Sequence, residues 1–282
     1  MKPVLLLSLA LLVAAPVSAQ GDDPAAVDVV PVAEVEWTPL NPARGDASPR
    51  AGTLWGDRNG AGPTGFLVAF NDGFSSPPHI HNVTYRGVVI HGLVHNDDPE
   101  AEPLWMPTGS YWTQPAGDVH ITSAQGVTNV AYIEIDGGPY LVKPTEEAFA
   151  ADEVEVNVDA SNVVWLGTSD LVWLEGPETG PEVALLWGLP RGDDPSGALV
   201  KVPAGTAARV HSHGPRFRAV VVQGTLVRHT DDVSEGTAME PGSFVGSTGA
   251  VTHEVACRGE VACIAYVRST GGFDVAAVTP AE

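Results

Sequence analysis

Six of the nine histidines in this 282-residue chain fall into two matching triplets. His79 and His81 stand one residue apart in Gly73–Gly92, GFSSPPHIHNVTYRGVVIHG, and His120 follows in GSYWTQPAGDVH. His211 and His213 repeat the arrangement in Gly205–Gly224, GTAARVHSHGPRFRAVVVQG, and His253 follows in GSFVGSTGAVTH. A strand sends residues i and i+2 to the same face, so each H-x-H pair points two imidazoles into one space. With a third histidine beside them, three neutral nitrogens can hold a divalent transition metal and leave positions open for water, oxygen or substrate. His91, His95 and His229 are left over and read as solvated or core-edge residues rather than ligands.

The elements that carry these triplets repeat as well. The offset 211 − 79 = 132 holds without a gap from Leu54-Trp55-Gly56 against Leu186-Trp187-Gly188 through Gly92 against Gly224. The third histidines are offset by 253 − 120 = 133, which places a one-residue insertion in an intervening loop. A repeat of this length predicts a duplicated domain. High glycine and proline content with short Val-rich runs predicts many strands joined by tight turns, and no stretch shows a long helical period, so the expected class is all-β. Strands are expected over Thr64 to Phe70, Ala198 to Val202, Thr128 to Ile135 and Val261 to Val267. Val35-Glu36-Trp37 opens the first half, with Val163-Val164-Trp165 or Leu171-Val172-Trp173 as its counterpart.

The spacing resembles the two motifs of the cupin superfamily. Gly73, His79, His81 and Gly92 match the first motif, and Gly109, Pro115, Gly117 and His120 match the second. The second half repeats the pattern with Thr248 and Ala250 in place of the proline and turn glycine. At the acidic ligand position of the first motif this chain has Tyr85 and, in the second half, Phe217. The resemblance, closest to the bicupins grouped as DUF4437 and related to the ChrR-like cupins, implies two tandem double-stranded β-helix (jelly-roll) barrels. It also implies three-histidine metal sites, His79/His81/His120 and His211/His213/His253, rather than three-histidine-plus-glutamate sites. Iron, manganese, zinc, nickel and copper are all compatible with imidazole ligands. Without a carboxylate the site stays more positive, which favours an anionic or enolate small molecule. Tyr85 either donates a hydrogen bond to a metal-bound group or fills the barrel.

Met1 to Ala19 carries a lysine, an apolar run too short to span a bilayer comfortably, and a Val17-Ser18-Ala19 cleavage pattern, the signature of a secretory signal peptide. Residues 20–30 are expected as a flexible lead-in, 31–143 as the N-terminal domain, 144–160 as a linker and 161–282 as the C-terminal domain. The expected location is periplasmic or secreted. The net charge of −21 opposes nucleic-acid and anionic-membrane partners, since both need a positive surface. A monomer and a homodimer both fit, because a bicupin mimics a dimer within one chain. Cys257 and Cys263 flank a hairpin-like Arg258-Gly259-Glu260; whether they bond depends on a Cα separation that sequence does not supply.

Arg86 and Arg218 share a register and are expected in outer-face salt bridges; Trp105, Tyr111 and Trp112 are expected in core packing, and Glu254 on the face opposite His253. Three functions fit. The resemblance gives precedent for a non-haem iron dioxygenase acting on an enolisable substrate such as a diketone. A zinc hydrolase or lactonase would use a metal-activated water, although no acid lies at a motif position. A binding module would hold metal or ligand without turnover.

Overall fold

The structure, a computed structural model, describes residues 26–230 and 233–278, with the side chains of 230–235 left aside. The expected signal peptide, 1–19, lies outside the described residues. Almost every regular element is a strand, and the few helical segments are short 3-10 turns. No helix among the described residues is long and apolar enough to cross a membrane.

Each half folds into a jelly-roll barrel. In the first, a seven-stranded sheet runs in the order Val156–Val158, Tyr111–Gln114, Tyr85–Asp97, Ile121–Ile135, Thr64–Phe70, Arg50–Trp55 and Trp37–Pro39. The long strands Tyr85–Asp97 and Ile121–Ile135 pair over most of their length, with register shifts around His91. There the chain bends at Gly92, whose φ of 78° lies in the region that glycine alone enters freely. The bend lets two strands serve both walls of the barrel. The second half splits into two six-stranded sheets. One runs Val27–Val30, Phe244–Thr248, Arg216–Gln223, Cys263–Thr270, Pro195–Val202 and Glu182–Trp187. The other runs Leu174–Glu175, Phe273–Val278, Ala207–Ser212, Val251–Arg258, Thr225–Thr230 and Val233–Met239.

The halves exchange their leading strands. Val27–Val30, inside the stretch expected as a mobile lead-in, is ordered and pairs with Phe244–Thr248 of the second half. Val156–Val158, inside the expected linker, pairs with Tyr111–Gln114 of the first half. Each leading strand is followed by a 3-10 turn, Val32–Glu34 or Ala160–Asn162, and then by a valine and a tryptophan, Val35/Trp37 or Val163/Trp165. The equivalent of Val35-Glu36-Trp37 is therefore Val163-Val164-Trp165.

One hydrophobic core belongs to both halves. Leu54, Trp55, Leu67, Val88, Tyr111 and Tyr132 meet Leu199, Val220, Phe244 and Tyr266 across it. Burying contiguous apolar surface of this kind is the main driving force for holding such halves together. Trp55 donates its indole N–H to Tyr132 at 3.0 Å, and Trp187 does the same to Tyr266 at 3.0 Å. Arg86 then lies over the Trp187 ring at 4.0 Å, and Arg218 over the Trp55 ring at 3.6 Å. The two arginines are thus not simple outer-face residues. They cross the junction as reciprocal cation–π contacts, with Arg86 also bridging to Asp136 at 2.8 Å.

At the junction the duplication is deliberately broken. Glu134 is fully buried and accepts from Tyr132 (3.0 Å), Tyr266 (2.7 Å) and Arg268 (2.9 Å). The offset 268 − 134 = 134 matches that between Tyr132 and Tyr266, so Arg268 is the second-half counterpart of Glu134. A dimer of identical chains would bury two like charges at this place, whereas the fused chain buries one of each.

Candidate metal centre

His79 and His120 face each other as a two-residue antiparallel bridge, each backbone N–H donating to the other's carbonyl at 3.1 and 3.0 Å. His81 lies on the short strand Ile80–His81, clamped by Val142–Lys143. The backbone fixes all three rings through Nδ1. His79 Nδ1 meets Pro77 O at 2.9 Å, His81 Nδ1 meets Leu141 O at 3.1 Å, and His120 Nδ1 meets Asp118 O at 3.1 Å. A carbonyl only accepts, so each Nδ1 carries the proton and each Nε2 presents a lone pair.

The ligating nitrogens of the three histidines lie within 4.8 Å of one another, and the Nε2 atoms of His79 and His81 are 3.2 Å apart. Lone pairs held this close repel unless a cation sits between them. Burial keeps all three rings neutral. It pulls the His81 pKa well below the ordinary value and that of His120 to about 3, with neighbouring imidazoles adding to both, and it lowers His79 as well. Neutral imidazoles oriented by backbone acceptors are the form that binds a divalent metal, so the donor set fits one.

Tyr85 stands beside this cluster, its hydroxyl 3.3 Å from His120 Nε2. It donates to Asn96 Oδ1 at 2.7 Å. Asn96 also accepts from Thr122 at 2.8 Å and donates to Gln114 Oε1 at 2.8 Å. Burial raises the Tyr85 pKa, so the phenol keeps its proton. Two further groups gave no sequence signal. Tyr140 comes from the loop after the strand Ile121–Ile135, stacks on His81 with centroids 4.3 Å apart, and brings its hydroxyl 3.2 Å from His81 Nε2. Glu155, from the segment between the halves, is half-buried. Desolvation raises its pKa to about 7, reinforced by Asp97, Asp118 and Asp98, and its charge in turn acts on Tyr85. Neither lies near a motif position, and only the folded backbone brings Tyr140 onto His81 and Glu155 within electrostatic reach of Tyr85. Tyr111 and Trp112 are fully buried, as expected of core residues.

The second triplet does not converge in the same way. Among the described residues only His79, His81 and His120 bring ligand atoms within 4.8 Å of one another, and the expected counterpart at His211, His213 and His253 is not gathered in that way. Side chains rather than carbonyls engage these rings. His211 Nδ1 meets Thr252 Oγ1 at 2.8 Å, His213 Nε2 meets Asp274 at 2.5 Å, and His253 Nε2 meets Ser247 Oγ at 3.1 Å. His253 is buried and stacked on Phe217 at 4.9 Å. Two of the nitrogens that would have to converge are thus spent on Asp274 and Ser247. Glu254 does point to the other face, where it pairs with Arg209 at 2.6 Å.

The family model described as "Domain of unknown function (DUF4437)" matches residues 28–276. No curated protein sequence matches the chain. Among solved structures, a Nostoc punctiforme protein provisionally described as a dioxygenase is similar over 94% of this chain and 90% of its own, with 14% identity and a TM-score of 0.64. Salicylate 1,2-dioxygenase from Pseudoaminobacter salicylatoxidans is similar over 92% of this chain and 87% of its own, with 13% identity and a TM-score of 0.56. Procruciferin, an 11S globulin from Brassica napus, follows over 88% and 85%, with 9% identity and a TM-score of 0.54. At such identities the likeness is one of fold.

Proposed function

The chain belongs to the DUF4437 family and to the cupin superfamily, and on that premise we propose that its first barrel is the centre of an exported, metal-dependent enzyme of the dioxygenase type. The observation that carries the reading is the convergence of three Nε2 lone pairs whose Nδ1 atoms are all tied to backbone carbonyls. A storage globulin shares the fold, so the fold alone does not choose the activity. Two dioxygenase-type neighbours add support of a weaker kind.

His79, His81 and His120 would hold the ion, and a divalent metal such as iron(II) would supply Lewis acidity and redox capacity beside the substrate. The substrate class is a small enolisable carbonyl compound. Its enolate would offset the charge that three neutral ligands leave uncompensated. Tyr140, whose hydroxyl donates to His81 Nε2, would turn that proton to a substrate oxygen when an ion takes the His81 lone pair. Tyr85 is held in place by Asn96 and keeps its proton, which makes it a fixed polar wall rather than a base. Glu155, whose charge reaches Tyr85 beside the cluster and which titrates near neutrality, is assigned the proton released when the substrate enolises. Phe66 and Trp112 close the apolar side and exclude water.

Export is part of the proposal. It draws on the leader-like first nineteen residues and on the Cys257–Cys263 disulfide, since such bonds persist in oxidising compartments. The test is elemental analysis of untagged protein purified without chelators, followed by oxygen uptake with acetylacetone as probe. Iron near one per chain with substrate-dependent oxygen consumption supports the reading, and absence of any bound metal after reloading sinks it. Glu155 also favours a second reading, a zinc hydrolase in which it serves as general base. Lactone cleavage that persists without oxygen would select that reading.

A further inference from the structure

The second barrel holds a cavity of about 50 Å³, lined by Phe217, Arg228, Met239, Val245, His253 and Val255 among others. Its origin is legible by register. In the first barrel Trp112 fills the interior across from Gly87, and a Cβ on Gly87 would come within 2.2 Å of the indole. Ala219 and Val245 take these two places in the second barrel. The cavity is the volume that the tryptophan no longer fills.

The polar residues around it have changed in step. Tyr85, Asn96, Gln114 and Thr122 form a closed hydrogen-bond network in the first barrel. Their counterparts are Phe217, Arg228, Ser247 and Val255, as the pairs Asn96–Thr122 and Arg228–Val255 show. Arg228 therefore brings a cation where the first barrel has a neutral amide. Its Nε is buried without a partner, and so is Nδ1 of His253, whose other nitrogen meets Ser247. Two buried nitrogens without acceptors are costly to leave in an apolar cavity.

We propose that the second barrel binds a short-chain monocarboxylate. Its carboxylate would accept from the Arg228 guanidinium through Nε and from Nδ1–H of His253, and its alkyl part would lie against Met239, Val245 and Val255. A planar guanidinium matches a carboxylate in two parallel hydrogen bonds. One water needs roughly 10–15 Å³ of such space, so the cavity accepts a chain of about two to four carbons rather than an aromatic acid. The site stands independently of any metal in the first barrel.

Calorimetric titration of the full-length mature protein with sodium butyrate, and with butyramide as the neutral counterpart, tests this. One butyrate should bind per chain, at least tenfold more tightly than butyramide. Arg228→Met should weaken butyrate at least tenfold. Refilling the cavity by Ala219→Gly with Val245→Trp should abolish binding while circular dichroism stays native, a control should Arg228→Met fail to fold. His79→Ala should leave the affinity unchanged. No saturable binding, equal affinity for butyramide, or an unchanged affinity in Arg228→Met overturns the proposal. Loss of binding in His79→Ala also overturns it, because the carboxylate would then belong to the first barrel.

Discussion

The two barrels share a backbone plan and a histidine pattern, yet one gathers its imidazole nitrogens into a ligand cluster and the other turns them to side-chain partners, although His211 and His213 stay 4.8 Å apart by ring centroid. The difference lies in what orients each ring. In the first barrel three backbone carbonyls hold the Nδ1 atoms, and the Nε2 atoms are left to converge. In the second, Thr252, Asp274 and Ser247 take ring nitrogens by side chain, and Phe217 stacks on His253. The presence of three histidines at motif spacing is thus necessary for a metal site but does not make one. The groups that hold the rings decide whether the motif still works, and after duplication they are free to change in one copy.

The sharpest way to break this comparison is to remove one histidine from each barrel. His81→Ala should take metal content from about one per chain to near zero, because it deletes one of only three ligands. His211→Ala should leave it unchanged. Elemental analysis reads both, and equal losses would erase the asymmetry between the barrels. The next effect is at the junction. Glu134→Gln leaves Arg268 buried with only Asp136 for charge, and breaking a buried pair of this kind costs about 3–5 kcal/mol. Thermal unfolding should show the loss, with part of it recovered when Arg268→Met is added. An unchanged melting temperature in Glu134→Gln would mean that the charge asymmetry at the junction does not hold the halves together.

Much of this plan could be read from the chain before folding. The unbroken offset from Leu54 to Gly92 announced the duplication, and glycine-bounded H-x-H motifs announced the barrels. Thr64–Phe70 came out as a strand with the expected limits. What could not be read was long-range. Tyr140 reaches His81, and Glu155 comes within electrostatic reach of Tyr85, only because the strand after His120 and the segment between the halves fold back over the first barrel. The pairing of Val27–Val30 with the second half is equally silent in a sequence whose first-half features begin after it. Whether His253 converges with its partners depends on Ser247, Asp274 and Phe217, none of which is a metal ligand.

Acid should act on both barrels through their buried histidines. His120 and His253 are held neutral by burial, with pKa values pulled to about 3 and about 4. The unfolded chain binds these protons from about pH 6.5 downward, whereas the folded chain does not. Their contribution to stability is therefore complete above pH 6.5 and is lost as the pH falls towards 4, at about 1.4 kcal/mol per pH unit for each ring before solvent screening is allowed for. Denaturant unfolding of the metal-free protein between pH 7 and 4 should follow this slope. His253→Gln should remove only its own share, on the order of 2–3 kcal/mol over the window, and leave the share of His79, His81 and His120 in place. A slope unaffected by that substitution would place the acid sensitivity elsewhere.

The smallest effect tests how each barrel turns from one sheet to the other. In the first, Ile121–Ile135 runs through the corner as a single strand, and buried Asn129 closes the bend by donating to Gly126 O at 2.6 Å. In the second, the same path is cut into Val251–Arg258 and Cys263–Thr270, which belong to different sheets, and the Cys257–Cys263 disulfide joins them across a Cα separation of 5.6 Å. Register makes Cys263 the counterpart of Asn129, since Gln223 faces Ile264 as His91 faces Val130. A loop this short should give a disulfide contribution of about 2 kcal/mol by chain entropy. A single neutral buried hydrogen bond is worth about 1 kcal/mol. Cys257→Ala with Cys263→Ala should therefore lower the melting temperature more than Asn129→Ala, and hydrogen exchange should place the new opening at the corner of the second barrel. If the two variants lose equally, the covalent link only replaces what the asparagine already supplied, and the corners are interchangeable in energy though not in chemistry.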